Sequence, residues 1–183
     1  MQNLNIQTKR LKIRHLELSD LSDFYLYRSN PEVTKYQGFD VMTLEQAKIF
    51  IAENSTKHFG IEGEWVQYGI ENIDTKQLIG DCAIKLDSYD KRIAEIGITI
   101  SHLEQRKGFA KEVLQGILTF LFETKEIHRV VEIVDVENIA SINLLKSIGF
   151  RQEGHFIENI FFKGKWGSEF QYAMLKREWE KNK

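Results

Sequence analysis

The residues from Gln105 to Ala110 have the composition and the position of an anion-binding turn. They read Gln-Arg-Lys-Gly-Phe-Ala and stand between an alternating apolar segment, Glu95–Ile100, and an amphipathic segment that reaches Phe122. Gly108 permits a tight turn that directs several free amide N–H groups to one point, and the positive end of the following helix dipole faces that point. This arrangement predicts a site for the phosphates of a ligand.

Two common phosphate-binding loops do not fit this stretch, because no Lys-Ser or Lys-Thr pair follows Gly108 and the chain contains no G-x-G-x-x-G. Arg106 and Lys107 would add positive charge at the rim of the turn, although two solvated surface cations give the same sequence. An ordinary glycine-containing connection before a surface helix therefore remains an alternative for this stretch alone.

A second group of polar residues follows the next apolar segment, Val130–Val136. Asn138 is a good helix N-cap and Gly149 is a good residue just beyond a helix end, so the pattern predicts a short helix between them. Ser141 lies in its first turn. Capping and a hydrogen bond back to the helix backbone would be sufficient roles for Asn138 and Ser141, and a chemical role depends on what lies beside them.

Together, the Q-x-x-G-x-A turn after one strand and the N-x-x-S-x-x-L-L-x-x-x-G-F helix after the next resemble the acetyl-coenzyme A site of the GNAT superfamily of N-acetyltransferases. Within that superfamily, the opening segment Thr8–Arg14 resembles the branch that contains ribosomal-protein N-terminal acetyltransferases. The C-terminal stretches that share this second resemblance are Glu153–His155, Phe162–Trp166 and Tyr172–Leu175. The likeness spans nearly the whole chain.

The resemblance implies that acetyl-CoA is the cosubstrate, and that the fourth and fifth strands, Ile93–Ile100 and Val130–Val136, splay apart to admit it. The fourth strand would lend its main chain to the pantetheine arm and one N–H to the thioester oxygen. Gly97 lies within this strand, where glycine often marks a bulge or the close approach of a ligand. The residues implied to contact acetyl-CoA are Ile98, Thr99, Ile100, Gln105, Arg106, Lys107, Gly108, Phe109, Ala110, Asn138, Ser141 and Asn143.

The proton donor and acceptor of the implied reaction are harder to assign. Many relatives place a tyrosine as general acid where this chain has Leu145, so we expect the Ser141 hydroxyl to protonate or hydrogen-bond the leaving sulfur. Glu95 and Glu158 are the candidate acceptors of the amine proton. The ribosomal-protein branch uses a glutamate where this chain has Ile160, and Glu158 is one step away on the expected strand face. Either glutamate could instead be a solvated strand carboxylate.

Composition limits the class of protein. The chain has 183 residues with 42% hydrophobic content, which suits one domain over residues 1–183. A net charge of -2 and a sequence pI near 6.2 argue against nucleic acid or an anionic membrane as a partner. Cys82 is the only cysteine and fits a core position in a reducing compartment. The first ten residues contain no apolar signal region, so we expect a cytoplasmic protein.

The remaining patterns predict an α+β, GNAT-like fold with a mostly antiparallel central sheet of about seven strands and about four helices. Two of the helices follow the first strand, one ending before Pro31 and one opening with the capping box Thr43–Gln46. The expected strands are Leu11–Leu16, Trp65–Ile70, Leu78–Leu86, Ile93–Ile100, Val130–Val136, Phe150–Phe156 and a return strand that carries Phe170, Tyr172 and Met174 after a hairpin at Lys163–Lys165.

The leading functional hypothesis is an acetyl-CoA-dependent N-acetyltransferase acting on a small amine or a protein N-terminus, as a monomer or homodimer. A non-catalytic acyl-CoA sensor and an unrelated nucleotide-binding α+β protein are the alternatives. The five histidines form no H-x-x-x-H pair and have no cysteine partner, so no metal is expected. The aromatic residues that could line the acceptor groove are Tyr25, Tyr36, Phe39, Trp65, Phe161 and Trp166.

Overall fold

The computed structural model describes residues 4–181, and its strands form one eight-stranded sheet. The strands are β1 (Ile6–Gln7), β2 (Leu11–His15), β3 (Trp65–Asn72), β4 (Leu78–Leu86), β5 (Ile93–Ile100), β6 (Arg129–Asp135), β7 (Arg151–Phe162) and β8 (Lys165–Leu175). The helices are α1 (Leu21–Arg28), α2 (Pro31–Thr34), α3 (Leu44–Asn54), α4 (Phe109–Thr119), α5 (Ile139–Ile148) and α6 (Lys176–Lys181). The strand order across the sheet is β1-β2-β3-β4-β5-β6-β8-β7.

The sheet opens between β5 and β6, the fifth and sixth strands in its order. Every neighbouring pair is antiparallel except β5 and β6, which are parallel and pair only where Ile93, Ala94 and Glu95 face Arg129, Val130 and Val131. Beyond Glu95 both strands continue without bonding to each other. The α+β fold class and the splay are confirmed, with the splayed strands numbered β5 and β6 because β1 precedes the first expected strand.

The two faces of the sheet carry separate cores. On one face α4 packs against the sheet with Val113, Leu114, Ile117 and Leu118 fully buried, and α5 adds Leu145. On the other face α1 and α3 form a smaller cluster around Phe24, Tyr27 and Ile51. A π-helical turn, Phe120–Thr124, continues α4. Within residues 4–181, no helix combines the length and the hydropathy required to cross a membrane.

Local signals fixed several boundaries. Thr43 and Gln46 form the expected capping box, Asn138 caps α5, and Gly149 ends that helix with a φ of 101°. Lys163 and Gly164 both have positive φ values, 49° and 78°, as a two-residue hairpin turn requires.

Three elements escaped the sequence patterns. β1 has only two residues, too few to show alternation, and pairs with β2. Pro31 ends the first helical segment as expected but also begins α2, because its fixed φ suits the first position of a helix capped by Asn30. The charged helix α6 buries none of its residues, so it leaves no apolar period to detect.

Candidate functional site

The turn between β5 and α4 presents unpaired backbone amides. Arg106 and Gly108 both adopt left-handed backbone conformations, with φ values of 61° and 80°. Gly108 is the N-cap of α4 and provides no side-chain cap for the first amides of the helix, which have no intrahelical acceptor. A left-handed non-glycine residue such as Arg106 costs about 1–3 kcal/mol and persists where surrounding contacts hold it, often at functional sites.

Arg10, about a hundred residues earlier in the chain, contacts this turn and the helix that follows it. Arg10 Nε lies 2.7 Å from Glu112 Oε2 on α4, and Arg10 Nη1 donates to the carbonyl oxygen of Lys107 at 3.1 Å. The guanidinium also lies 4.4 Å above the ring of Phe109. Glu112 Oε1 accepts from Thr8 Oγ1 at 2.6 Å. The connection between β1 and β2 therefore fixes the position of the turn, a role for Arg10 that its sequence position gave no sign of.

The turn, the open edge of β5 and the first turn of α5 enclose a cavity of about 470 Å³. Ten of the residues implied to contact acetyl-CoA line this cavity: Ile98, Thr99, Ile100, Gln105, Arg106, Gly108, Phe109, Ala110, Asn138 and Ser141. Lys107 and Asn143 are outside this lining. Lys107 pairs with Glu104 at 3.0 Å, and Asn143 lies on the exposed side of α5. Of the two cations predicted for the rim, Arg106 is thus the one that lines the cavity.

The edge of β5 that faces the cavity lacks a partner strand. Ser101 donates its N–H toward β4, to Ile79 O at 2.9 Å, and alternate residues of an antiparallel strand direct their backbone groups to opposite sides. Ile98 and Ile100 therefore direct theirs toward the splay. Gln105 Nε2 donates to Ile100 O at 3.2 Å, which ties the turn to the end of the strand and leaves the backbone groups of Ile98 available.

Of the two features that Gly97 could mark, the bulge is absent and the open space beside the strand is present. The pairing of β4 with β5 runs without a register shift from Gly80 and Ile100 to Leu86 and Ala94. Backbone groups are freed by the separation of β5 from β6 instead. A Cβ atom at Gly97 would have no other atom within 4 Å, so this glycine borders open space, as the close approach of a ligand would require.

Ser141 lies in the first turn of α5 and forms a hydrogen bond with Glu132, a residue that the sequence patterns did not single out. Asn138 Oδ1 accepts from Ser141 N at 3.2 Å, and Ser141 Oγ donates to Glu132 Oε1 at 3.2 Å. Glu132 lies on β6, lines the cavity and is 8% exposed. Its other oxygen, Oε2, is buried without a hydrogen-bond partner among the described residues.

The environment of Glu132 favours its protonated form. Burial raises the pKa of its carboxyl to about 7, the hydrogen bond from Ser141 opposes this, and the charge of Glu95 adds to it. The sequence contained a signal, because Glu132 alternates with Val130 and Val134 on the buried face of a strand where an apolar residue is expected. A carboxyl group at such a position marks a functional candidate.

Glu95, the first candidate base, is already engaged. Lys85 Nζ lies 2.5 Å from its carboxylate, and the same ammonium group stands 4.7 Å above the ring of Trp65. Glu95 alternates with Gly97 on one face of β5, and it is not among the residues that line the cavity.

Glu158, the second candidate base, lies in an irregular part of β7. The pairing with β8 shifts between Phe156 and Ile160, and Glu158 has a φ of 46°. Its N–H bonds to Ser168 Oγ at 2.9 Å, and the residue is exposed. The expectation that Glu158 is one regular strand step from Ile160 is therefore wrong, because the bulge interrupts the alternation of side chains.

Two apolar positions behave as expected. Leu145 is fully buried in the core and has no group that can exchange a proton. Cys82 is also fully buried, and burial raises the pKa of its thiol well above the usual value. A neutral buried thiol is a core residue rather than a nucleophile.

The aromatic residues proposed for the acceptor groove lie in different places. Tyr36, beyond α2, lines the cavity. Phe39 lies 4.1 Å from the guanidinium of Arg28, and Tyr25 packs against the smaller core. Phe161 and Trp166 contact each other at 5.4 Å near the exposed end of the β7–β8 hairpin. Of these aromatic residues and Trp65, Tyr36 is thus the one that borders the cavity.

Comparison with known proteins agrees with this geometry. Residues 10–151 match the acetyltransferase (GNAT) domain family. The chain is 35% identical to the N-acetyltransferase YnaD of Bacillus subtilis over 96% of its own length and 99% of that protein. It is 28% identical to a spermidine N(1)-acetyltransferase of Vibrio cholerae, over 86% of this chain and 88% of that one.

A solved structure supports the same assignment. The crystal structure of a GNAT-family acetyltransferase from Bacillus anthracis superposes with a TM-score of 0.85 at 27% identity, over 96% of this chain and 100% of the other. The sheet that opens at β5 and β6, the amide-lined turn and the matched domain together show that this chain belongs to the GNAT acetyltransferase family.

Proposed function

We propose that the protein transfers the acetyl group of acetyl-CoA to a primary amine by direct attack of the amine within a ternary complex. The observation that carries this proposal is the cavity where the unpaired edge of β5, the turn Gln105–Ala110 and the first turn of α5 meet. In acetyl-CoA a long arm separates the diphosphate from the thioester. The diphosphate would lie at the turn, and the thioester would lie between the edge of β5 and the first turn of α5.

The turn holds the diphosphate. Its free amides and the positive end of α4 receive the negative charge, and Arg106 adds a cation at the rim. Holding the thioester beside the amine makes the reaction effectively unimolecular, which is worth up to about 7–11 kcal/mol.

The edge of β5 stabilises the charge that develops on the thioester oxygen. The N–H of Ile98 points into the splay and has no partner strand to bond with. A fixed donor of this kind, away from water, is worth about 2.7–4 kcal/mol of transition-state stabilisation. The open space beside Gly97 gives the acetyl group access to that donor.

The amine attacks in its neutral form, so a proton must leave the nitrogen. Glu95 is the stronger of the two candidate acceptors, because it lies on β5 two residues before Gly97, whereas Glu158 lies in an exposed bulge. The carboxylate of Glu95 is paired with Lys85, so the proton reaches it through water.

The acceptor is a primary amine of one of two kinds. The resemblance of the C-terminal segment to ribosomal-protein acetyltransferases favours a protein N-terminus, and the spermidine acetyltransferase among the relatives favours a polyamine. Both attack through a neutral primary amine.

The test is release of free thiol from acetyl-CoA with a panel of polyamines, amino sugars, amino acids and N-terminal peptides. Mass spectrometry then identifies which amines of a cell extract gain an acetyl group. We expect steady thiol release with at least one of these amines. No turnover with any of them, together with no binding of acetyl-CoA by calorimetry, would refute the function.

Gly97→Leu tests whether turnover occurs beside β5. The strand there is regular and a Cβ would meet no atom within 4 Å, so the variant should fold while its side chain fills the space beside the strand. We expect kcat/KM for the amine to fall at least about tenfold, equivalent to roughly 1.4 kcal/mol. The matched control, Gly97→Ala, should lose much less.

A non-catalytic sensor of acyl-CoA is the second candidate, because Leu145 lacks a transferable proton where many relatives carry tyrosine. It would bind acetyl-CoA tightly by calorimetry while thiol release stayed at background for every amine offered.

A further inference from the structure

Resting on the function proposed above, we propose that Glu132 is the proton source for the departing thiolate of coenzyme A and acts through the hydroxyl of Ser141. Glu132 is buried on β6 and lines the cavity, and Ser141 Oγ lies 3.2 Å from its Oε1. Glu132 acts through Ser141: it orients the Ser141 hydroxyl and replaces the proton that Ser141 gives to sulfur.

The geometry distinguishes Glu132 from a carboxylate that merely supports the fold. Its neighbours on the same face of β6, Val130 and Val134, are buried apolar residues, so packing alone would favour a third apolar side chain. Glu132 Oε2 has no hydrogen-bond partner among residues 4–181. A buried oxygen without a partner destabilises a fold, and such a group persists where it has a chemical use.

The proton is transferred in two coupled steps. The amine nitrogen forms a bond to the thioester carbon, and the carbon–sulfur bond breaks with its electron pair on sulfur. Sulfur takes the proton of the Ser141 hydroxyl, and Ser141 takes the proton of the Glu132 carboxyl. The proton that the attacking nitrogen loses passes through water to Glu95 and from there to solvent, and solvent returns a proton to Glu132. The products are the amide and free thiol, with Ser141 and Glu132 restored.

This arrangement explains how the chain works without the usual tyrosine. Leu145 lies one turn beyond Ser141 on α5 and is buried in the core. A serine hydroxyl alone is a weak acid, and a neutral carboxylic acid behind it supplies the proton that it gives up. The raised pKa of Glu132 keeps an appreciable protonated fraction near neutral pH.

Other titratable groups near Glu132 also contribute to a pH profile, and their effects must be distinguished from that of Glu132. On its own face of the sheet the cross-strand neighbour is Tyr172 on β8, and Glu95 on β5 acts on it through its charge. The titratable side chains that line the rest of the cavity are Glu32, Tyr36, Glu104, Arg106 and Lys111.

The experiment compares Glu132→Gln with wild type in kcat, pH profile and binding of CoA. Glutamine keeps the shape and the hydrogen bond to Ser141 but carries no acidic proton. We expect kcat to fall by about 10²–10⁴-fold. The descending limb that a general acid gives above its pKa should disappear from the kcat profile. The Kd for CoA, measured by calorimetry, should stay within about threefold.

A kcat within about threefold of wild type with the descending limb retained would overturn the inference, as would a loss confined to CoA binding.

Two further variants exclude a general loss of negative charge or of structure. Glu137→Gln removes an exposed carboxylate from the same connection between β6 and α5, and it should leave kcat and the pH profile unchanged. The double variant Glu132→Gln/Ser141→Ala should be about as slow as the slower single variant, because two members of one relay act as a unit. Full additivity of the two losses would show that they act separately and contradict the relay.

Failure of the proposed function is distinguishable from failure of this inference. If the wild type releases no thiol with any amine, both the function and this inference fail, whereas if the wild type turns over and Glu132→Gln turns over equally fast, only the inference fails. Difference infrared spectroscopy of the active wild type then checks whether Glu132 carries the proton. A protonated-carboxyl band near neutral pH that shifts on addition of CoA and is absent from Glu132→Gln supports it. Absence of that band from the wild type, or no shift with CoA, refutes it.

Discussion

Two buried carboxylates on opposite faces of the central sheet differ in how they are paired. Asp81 on β4 is fully buried, and both of its oxygens are occupied: Tyr27 Oη donates at 2.7 Å, Arg28 contacts it at 2.5 and 3.0 Å, and Gln67 donates to the same group. Glu132 on β6 has one hydroxyl partner and one oxygen without any among the described residues.

The difference separates structure from function. Asp81 compensates the charge of Arg28 beneath α1, where the guanidinium also contacts the rings of Phe24 and Phe39. Removing it should damage the fold. Glu132 has no cationic partner in its hydrogen bonds and borders a cavity, so removing its acidic proton should slow the reaction and relieve the fold of a buried ionisable group. Burial of a carboxylate alone therefore does not indicate its role, whereas the number and kind of its partners do.

The largest effect on stability is expected for Asp81→Ala. This change leaves the guanidinium of Arg28 buried without its counter-charge, and the free energy of unfolding should fall by roughly 3–5 kcal/mol. Urea unfolding followed by circular dichroism measures this. As a control, Asp90→Ala removes an ion pair with Arg92 from the surface and should leave the unfolding curve unchanged. Similar curves for the two variants would mean that the buried pair is dispensable.

Glu132→Gln should affect stability with the opposite sign, and only above acidic pH. Because the folded-state pKa of Glu132 is about 7 and the unfolded value is near 4.3, the native state binds more protons between them, and wild-type stability falls as pH rises through this window. The stability of Glu132→Gln relative to wild type should therefore increase by up to roughly 3 kcal/mol from pH 4 to pH 8. Urea unfolding at both pH values measures it. A difference independent of pH would show that Glu132 is ionised in the folded protein.

The smallest effect is expected from Arg10→Ala. This variant tests whether the ion pair of Arg10 with Glu112 positions the anion-binding turn rather than stabilising the core. Loss of its contacts to Glu112, Lys107 O and Phe109 should let the turn relax and weaken CoA binding about tenfold, roughly 1.4 kcal/mol. Calorimetry measures this. The neighbouring exposed cation in Lys9→Ala is the control and should bind CoA as wild type does. Equal affinity in both variants would show that the turn holds its shape without Arg10.

The sequence predicted what depends on neighbours along the chain. The capping box at Thr43, the N-cap Asn138, the left-handed Gly149 and the turn around Gly108 each follow from residue types within a few positions. Strands β4 and β5 end where their alternation ends. These features are local, because capping, turns and alternation are decided by backbone conformation and by the face on which a side chain falls.

The tertiary structure decided the contacts between distant segments. Arg10 reaches Glu112 across 102 positions, Glu132 meets Ser141 only because α5 packs over the end of β6, and the bulge around Glu158 disturbs a register that alternation alone cannot reveal. The sequence by itself placed an anion-binding turn and a serine near one site. Which carboxyl group is buried beside that serine depended on how the sheet opens and which helix covers it, because burial and pairing are set by elements that meet only in the folded chain.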